Sequence, residues 1–213
     1  MDHYIDFRIR SDPEFSVPQL MSILFTRLHL ALVNLNSTDI GVSFPDVVQL
    51  EPETDKQKLT VGARLRLHAD ANRLQVVMQY IRLNDLRDYL QIGNISPIPK
   101  QVQYCQVSRV IPKSPPDRLL RRQMRRHPEY HSREDARRAA IQRLVKERNV
   151  SEEAASKQVD RVQKCGLPFV SLKSQSTNQP FRLFIKHDLS VSQPRTGSFN
   201  SYGLSASATV PWF

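Results

Sequence analysis

The chain has 213 residues and 39% hydrophobic content, enough for one large or two small domains with a buried core. Its formal net charge of +10 is concentrated in residues 109–148, which carry 13 basic and 5 acidic side chains. Such a local basic segment is typical of a surface that binds a polyanion. No segment approaches the roughly 18 apolar residues of a membrane span and no signal-peptide pattern is present. We therefore expect a cytoplasmic protein.

The first 98 residues alternate strand and helix patterns in the order β-α-β-β-α-β. Residues 3–10 alternate apolar and polar side chains, which predicts a half-buried strand. A helix follows that Ser16 can cap, with Gln19 as its reciprocal partner. This order predicts an α+β fold with a ferredoxin-like domain over residues 1–98, its helices on one face of an antiparallel sheet. The remaining predicted segments are strands at 39–48, 58–68 and 89–98, helical pieces at 70–79 and 84–89, and a polar loop at 49–57.

Periodicity also predicts which side chains of these elements face the core. In the strand at 58–68 the alternation places Arg64, Arg66 and His68 on the outward face. In the first helix His29 lies about 180° from Leu20, away from the sheet. The core stripe of that helix is predicted at Leu20, Ile23, Leu24, Leu28, Ala31 and Leu35.

Pro97 and Pro99 mark a boundary, after which residues 99–213 are predicted to form a second α+β domain. Cys105 and Cys165 lack metal-ligand spacing, so we expect reduced core thiols. The predicted elements are an extended run at 102–111, helices at 114–127, 133–148 and 151–164, a hairpin of strands 168–175 and 180–187, and a polar tail at 188–201.

The helix at 114–127 carries the main functional signal. Ser114 can cap it and Pro115 fits its first position. Five arginines recur at i, i+3, i+4, i+7 and i+8, which places all five guanidinium groups on one side. Arginine binds phosphate by bidentate donation, so we interpret this face as a phosphate-binding surface. A solvated basic face and a membrane-surface helix are the alternatives. The five residues are Arg118, Arg121, Arg122, Arg125 and Arg126.

Few residues offer chemistry, and none suggests a metal or an organic cofactor. Pro128 separates His127 from His131, which removes the helical alignment that a zinc site would need. His29 is a candidate general base, because an imidazole titrates near neutrality, although an ordinary surface or interdomain histidine is the alternative. The polar run 174–177 at the hairpin tip is an ordinary turn by composition.

Several motifs together resemble the CRISPR repeat-processing endoribonucleases of type I-F (Yersinia-subtype) systems. The resemblance covers nearly the whole chain except 128–165, where this chain is longer than the family pattern. The motifs are Asp2-His3-Tyr4, Asp12-Pro13-Glu14-Phe15, Gly41-Val42-Ser43-Phe44-Pro45-Asp46, Ser108-Arg109-Val110, the arginine helix, Ser174-Gln175-Ser176-Thr177, Phe181-Arg182-Leu183-Phe184 and the terminal Val210-Pro211-Trp212-Phe213.

The resemblance implies an enzyme that cuts the CRISPR transcript at the 3′ base of each repeat hairpin without a metal, leaving a 2′,3′-cyclic phosphate. It then keeps the hairpin as a subunit of a guide-RNA surveillance complex. His29 is similar to the family's general base, Ser174 to the residue that holds the attacking 2′-hydroxyl, and Tyr202 to a residue that positions the site. The implied RNA-binding residues are Arg109, which would read a base, Phe181, which would stack on the terminal base pair, Ser176, and the five arginines lining the hairpin groove.

One position departs from the family pattern. At Ile111 we expect a glutamine that reads a second base, and an isoleucine side chain cannot donate or accept a hydrogen bond. Two other functions stay open: a non-catalytic RNA-binding subunit, in which His29 and Ser174 are incidental, and a basic DNA-binding regulator. A 2′,3′-cyclic phosphate at the end of the product distinguishes the enzyme from the first alternative, because only the enzyme yields it. A comparison of binding to RNA and DNA hairpins of the same sequence tests the second alternative.

Overall fold

The computed structural model describes residues 1–47, 60–111, 116–160 and 166–213, with only the backbone of 116–119 and 160. The predicted loop at 49–57, the cap at Ser114 and Cys165 lie outside these ranges. The α+β class predicted from the sequence is confirmed. The described strands are β1 (His3–Ile9), β2 (Gly41–Ser43), β3 (Arg64–Ala69), β4 (Leu90–Ile92), β5 (Ser96–Pro97), β6 (Gln103–Val110), β7 (Phe169–Lys173), β8 (Pro180–Asp188) and β9 (Val210–Trp212). The α-helices are α1 (Val17–Asn34), α2 (Ala71–Tyr80), α3 (Pro116–Arg126), α4 (Arg133–Arg148) and α5 (Glu152–Asp160), and a 3₁₀-helix spans Asn84–Tyr89.

The first sheet has the strand order β2-β3-β1-β4, and β5 also pairs with β1. All its pairings are antiparallel, with Tyr4 opposite His68 and Phe7 opposite Ile92. The inward alternation of β1 buries Ile5, Phe7 and Ile9, as the sequence pattern predicted. The first sheet therefore places β1 at its centre.

Helix α1 begins at the predicted cap, where the Ser16 amide donates to the Gln19 side chain at 2.9 Å. Its buried side chains extend beyond the predicted stripe to Met21, Phe25 and Leu32, whereas Ile23 is 37% exposed. The prediction at Ile23 was wrong because α1 contacts β7 of the second sheet as well as β1. The helix therefore buries two faces, and its apolar side chains do not follow a single stripe.

The outward face of β3 is covered, which corrects the prediction for Arg66 and His68. Arg66 is 4% exposed and His68 is fully buried. The Arg66 guanidinium donates to both Asp6 carboxylate oxygens at 2.6 and 2.9 Å and to the Phe213 carbonyl at 2.9 Å. It also lies over the rings of Tyr4 and Phe213. A residue distant in sequence therefore closes this face, which alternation within β3 cannot indicate.

The second sheet has the strand order β7-β8-β6-β9. β7 and β8 form the predicted hairpin, and β6 pairs with β8 along one edge and with β9 along the other, all antiparallel. Cys105 on β6 is a buried free thiol, and burial raises its pKa to about 12. It is therefore a core side chain, as predicted.

The described chain forms two compact units. Unit 1 comprises Met1–Ile111 and Gly166–Phe213 and holds both sheets, α1, α2 and the 3₁₀-helix, whereas unit 2 comprises Pro112–Cys165. The sequence predicted a different division, into domains at 1–98 and 99–213, and that division stays a prediction. No described helix is long and apolar enough to cross a membrane.

Unit 2 contains α3, α4 and α5. Helix α4 has the bounds predicted from the sequence, and its cap is reciprocal: the Ser132 amide donates to the Asp135 carboxylate at 3.0 Å, and the Asp135 amide donates back to the Ser132 hydroxyl. Ala136 and Ile141 are its buried side chains. Unit 2 is thus a small helical unit inserted between β6 and β7.

Candidate active site

A cavity of about 420 Å³ lies in unit 1, lined by residues from α1, β6, the β7–β8 hairpin and the segment before β9. These four elements come from positions far apart in the sequence. Most of the site residues selected from the sequence line this one cavity, including all three proposed for catalysis. Those lining it are His29, Arg109, Ser174, Ser176, Phe181 and Tyr202.

His29 is held in one orientation on α1. Its Nδ1 lies 2.7 Å from the Ser201 carbonyl oxygen. Because a carbonyl oxygen only accepts, Nδ1 must carry the proton, so in the neutral ring Nε2 is the nitrogen with a free lone pair. The imidazole also stacks on the Tyr202 ring, with centroids 4.1 Å apart and planes 11° apart. The ring is therefore fixed in orientation and tautomer, as a general base requires.

The turn that supplies Ser201 and Tyr202 depends on Gly203. Its φ is +70°, a conformation that glycine adopts at little cost. Its carbonyl accepts from the Val42 amide at 2.8 Å, which ties the turn to β2. A Cβ on Gly203 would collide with the Val42 side chain. The turn can therefore approach the first sheet closely enough to bring Tyr202 onto His29.

Ser174 and Ser176 lie on the turn that joins β7 to β8. The Ser174 amide donates to the Gln179 carbonyl at 2.9 Å, and Asn178 takes a left-handed φ of 56° that asparagine tolerates. The two serine hydroxyls are 3.3 Å apart, and the Thr177 amide donates to the Ser174 oxygen at 3.3 Å. A tight turn thus holds two hydroxyl groups at the edge of the cavity.

Arg109 and Phe181 come from adjacent strands of the second sheet. Arg109 is exposed on β6, with its guanidinium carbon 5.9 Å from the Tyr202 ring centroid. Phe181 is half-buried near the start of β8, opposite Leu172 of β7. Ile111 follows β6 and is 77% exposed. A cation and an aromatic ring, which can contact a phosphate and a base, therefore line the cavity with the imidazole.

The charge of the cavity is positive. Among the described residues that line it, Arg109 and Lys173 are the cations and no carboxylate is present. Such a lining favours an anion and disfavours the carboxylate pair typical of glycoside hydrolysis. Within the described ranges, no group of three or more His, Cys, Asp or Glu side chains is placed to hold a metal ion.

The arginine helix belongs to unit 2 and not to the unit with the cavity. Helix α3 spans Pro116–Arg126, and Arg121, Arg122, Arg125 and Arg126 are exposed while Leu120 is buried. The side chain of Arg118 lies outside the described atoms. The four described arginines share the exposed side of the helix, and their binding role stays a prediction.

Sequence reasoning missed several residues of the cavity surroundings, among them Ser201, Lys173 and Thr26. Ser201 acts through its backbone carbonyl, so its side chain gave no signal. Lys173 directly precedes the serine turn and lines the cavity, but a single lysine at the end of a strand carries no pattern that indicates a site. Thr26 lines the cavity one helical turn before His29, a spacing that could have indicated it. Its hydroxyl donates to the Ser22 carbonyl at 2.7 Å.

Comparison with known proteins places the chain in a family. The family model for CRISPR-associated protein (Cas_Csy4) matches residues 4–213, so the chain belongs to this family. A Pseudomonas aeruginosa (strain UCBPP-PA14) protein named CRISPR-associated endonuclease Cas6/Csy4 is 45% identical over 215 residues, covering all of both chains. One of the same name from Escherichia coli (strain UTI89 / UPEC) is 40% identical over 213 residues, again covering both chains completely. The resemblance inferred from the sequence motifs is confirmed.

Proposed function

We propose that this protein is a metal-independent endoribonuclease that cuts CRISPR precursor transcripts at the 3′ base of the repeat hairpin. Family membership and the names of the two relatives support an endonuclease of a CRISPR system. The observation that carries the proposal is the His29 tautomer: Nδ1 donates to the Ser201 carbonyl, which leaves Nε2 as proton acceptor on a ring that lines the cavity.

The reaction then needs only groups of the chain and of the substrate, with a proton from the solvent. His29 Nε2 takes the proton of the 2′-hydroxyl upstream of the cut, and the 2′-oxygen attacks the adjacent phosphorus. The bond to the 5′-oxygen breaks, and that oxygen takes a proton from the solvent. The products are a 2′,3′-cyclic phosphate and a 5′-hydroxyl. Because the nucleophile is a 2′-hydroxyl, the reaction is restricted to RNA.

The other cavity residues are proposed to position the reacting atoms. The Ser174 oxygen already accepts from the Thr177 amide, and its lone pairs and proton can hold the 2′-hydroxyl. Tyr202 restrains the His29 ring by stacking. Arg109 and Lys173 offset the charge that develops on the phosphate in the transition state. Effective molarities of well-oriented groups are large, so this positioning supports much of the rate.

Affinity is proposed to come mainly from the arginine helix. The exposed Arg121, Arg122, Arg125 and Arg126, with Arg118, would track the phosphates of the hairpin, and Phe181 would stack on its terminal base pair. Arg109 would read a base at the foot of the stem, with Ser176 as a further contact. The protein would stay bound to the hairpin in a cytoplasmic type I-F surveillance complex with other subunits.

We also propose that residues 1–98 form a ferredoxin-like domain and residues 99–213 the RNA-binding domain. The antiparallel sheet order β2-β3-β1-β4, with α1 and α2 as its connecting helices, supports the first part. The division would assign His29 to the first domain and the remaining proposed site residues to the second.

The test uses single-turnover cleavage of a repeat-hairpin RNA by the full chain. His29→Ala is expected to lower the rate about 10²–10⁴-fold while hairpin affinity stays unchanged. His131→Ala is the matched control, because that exposed histidine lies in unit 2. A hairpin with one 2′-deoxy nucleotide upstream of the cut should bind normally and stay intact. Cleavage of that substrate, or a strict requirement for magnesium, would refute the mechanism.

A second candidate is a non-catalytic subunit that binds hairpin RNA. The exposed arginine side of α3 favours it, because four cations on one helix suffice to bind a duplex without any chemistry. The chemical group at the 3′ end of the upstream RNA product distinguishes the two functions, since only the enzyme yields a 2′,3′-cyclic phosphate.

A further inference from the structure

The turn at residues 200–204 places the backbone carbonyl that fixes the His29 tautomer. We infer that Asn200 is a positioning residue for cleavage: its side chain builds this turn and thereby holds the Ser201 carbonyl against His29 Nδ1. The inference rests on the proposed function, because it assigns His29 the role of base. Asn200 itself is not among the residues that line the cavity.

The Asn200 side chain makes the turn compact. Its Oδ1 accepts from two backbone amides, those of Tyr202 at 2.9 Å and Leu204 at 3.2 Å. Its own backbone also closes the turn, since the Asn200 amide donates to the Leu204 carbonyl and its carbonyl accepts from the Gly203 amide. One residue therefore participates in four hydrogen bonds that surround Ser201 and Tyr202. Asparagine is suited to this role because a short side chain can accept from amides two residues on.

The turn is anchored at both ends to the segment that leads from the end of α1 into β2. The Phe199 amide donates to the Thr38 carbonyl at 2.9 Å, and the Val42 amide donates to the Gly203 carbonyl at 2.8 Å. Between these anchors, Ser201 and Tyr202 depend on the Asn200 side chain for their conformation. Its loss would free this segment without detaching it from the fold.

The effect on His29 follows from the tautomer. With the Ser201 carbonyl in place, the proton is on Nδ1 and Nε2 can accept. If the carbonyl moves away, the neutral ring can carry its proton on Nε2 instead, and that form cannot take a proton from the 2′-hydroxyl there. The cations lining the cavity with His29 are Arg109 and Lys173, which only donate hydrogen bonds. The Tyr202 ring stacks nearly parallel to the imidazole, so its hydroxyl lies outside the plane in which the Nδ1–H bond points. The carbonyl is therefore the group on which the tautomer depends.

The experiment compares Asn200→Ala with Asn200→Asp in the full chain. Asparagine and aspartate are nearly isosteric and share Oδ1, so the aspartate variant keeps both accepted hydrogen bonds. Asn94→Ala is the control, since Asn94 is an exposed loop residue of unit 1. Three quantities are measured: single-turnover cleavage rate, affinity for the 2′-deoxy hairpin, and the ¹⁵N chemical shifts of the His29 ring, which report which nitrogen carries the proton.

We expect Asn200→Ala to lower the cleavage rate about tenfold to a hundredfold with hairpin affinity unchanged, because small displacements of a reacting group have effects of that size. The ¹⁵N shifts of His29 should move toward a mixture of tautomers. Asn200→Asp should retain most of the rate and the Nδ1-protonated spectrum, and Asn94→Ala should match the parent.

Two results would overturn the inference. A full rate with an unchanged His29 spectrum in Asn200→Ala would show that the turn holds without this side chain. A lower rate with an unchanged spectrum would show that Asn200 acts elsewhere. If His29→Ala itself retains the parental rate, the proposed function fails instead, so the two failures are distinguishable.

Discussion

Replacing Gly203 by alanine tests how far the candidate site depends on the close approach of its turn to β2. The new Cβ would collide with the Val42 side chain, which is fully buried, and would lie 3.3 Å from the Ile40 carbonyl oxygen. The backbone φ of +70° adds a second cost, because a residue with a Cβ rarely adopts it. Both effects act on the segment that supplies the Ser201 carbonyl and the Tyr202 ring.

The expected magnitude follows from these two terms. A left-handed conformation costs a non-glycine residue about 1–2 kcal/mol, and overpacking a filled core costs about 1–3 kcal/mol. Gly203→Ala should therefore lower the free energy of unfolding by about 2–5 kcal/mol. For a chain of this size, each kcal/mol corresponds to about 2–4 °C in Tm.

Thermal unfolding monitored by circular dichroism measures this loss. Gly166→Ala is the matched control, because a Cβ there meets nothing within 4 Å and its φ is not in the left-handed region. The double variant Gly203→Ala/Val42→Ala relieves the collision but not the conformational cost. Its loss of unfolding free energy should therefore be smaller than the sum of the losses of the two single variants. If Gly203→Ala and Gly166→Ala share the same Tm, the reasoning about this turn is wrong.

Two further predictions concern affinity and pH. Replacing Arg122 by alanine should weaken binding of the repeat hairpin and reduce the slope of log affinity against log salt by about one. The cleavage rate at saturating enzyme should change little. An unchanged slope would contradict a phosphate contact. Burial lowers the pKa of His68 to about 3 and that of His187 to about 4. Both histidines stay neutral in the folded chain but take up protons in the unfolded chain below about pH 6.5. The free energy of unfolding should therefore fall from pH 6.5 toward pH 4, by up to about 1.4 kcal/mol per pH unit for each histidine. Urea unfolding at pH 7.5 and 5.0 measures this, and an equal pH effect in His68→Gln/His187→Gln would contradict it.

Local patterns predicted most of the elements. The alternation in β1, the Ser16 cap of α1, the bounds of α4 and the hairpin of β7 and β8 all appear close to where the sequence placed them. Each of these signals lies within a short segment, so it needs no knowledge of the rest of the fold.

The errors arose where a distant segment covers a surface. Arg66 was predicted to face solvent, but Asp6 and the Phe213 carbonyl, 60 and 147 residues away in sequence, accept its hydrogen bonds. Ile23 was predicted to be buried, although the second core surface of α1 lies along Phe25 instead. A single amphipathic stripe cannot describe a helix that packs against two sheets.

The candidate site shows the same division between local and distant information. The resemblance gave the identities of His29, Ser174 and Tyr202, but not the contact that fixes the His29 ring. That contact comes from the backbone of Ser201, 172 residues further along the chain. A backbone carbonyl carries no signature in the residue that supplies it, so only the folded structure could provide it.

The distribution of the proposed residues between the two units has a consequence for mutagenesis. The described residues that line the cavity belong to unit 1, whereas the arginine side of α3 belongs to unit 2. Helix α1 carries His29 and is buried by both sheets of unit 1, so the imidazole is positioned by the fold of that unit and not by the arginines. Substitutions in α3 should therefore change affinity and its salt dependence, and substitutions around the turn at 200–204 should change the rate of the chemical step. A variant in α3 that abolished cleavage at saturating RNA without weakening binding would show that this separation does not hold.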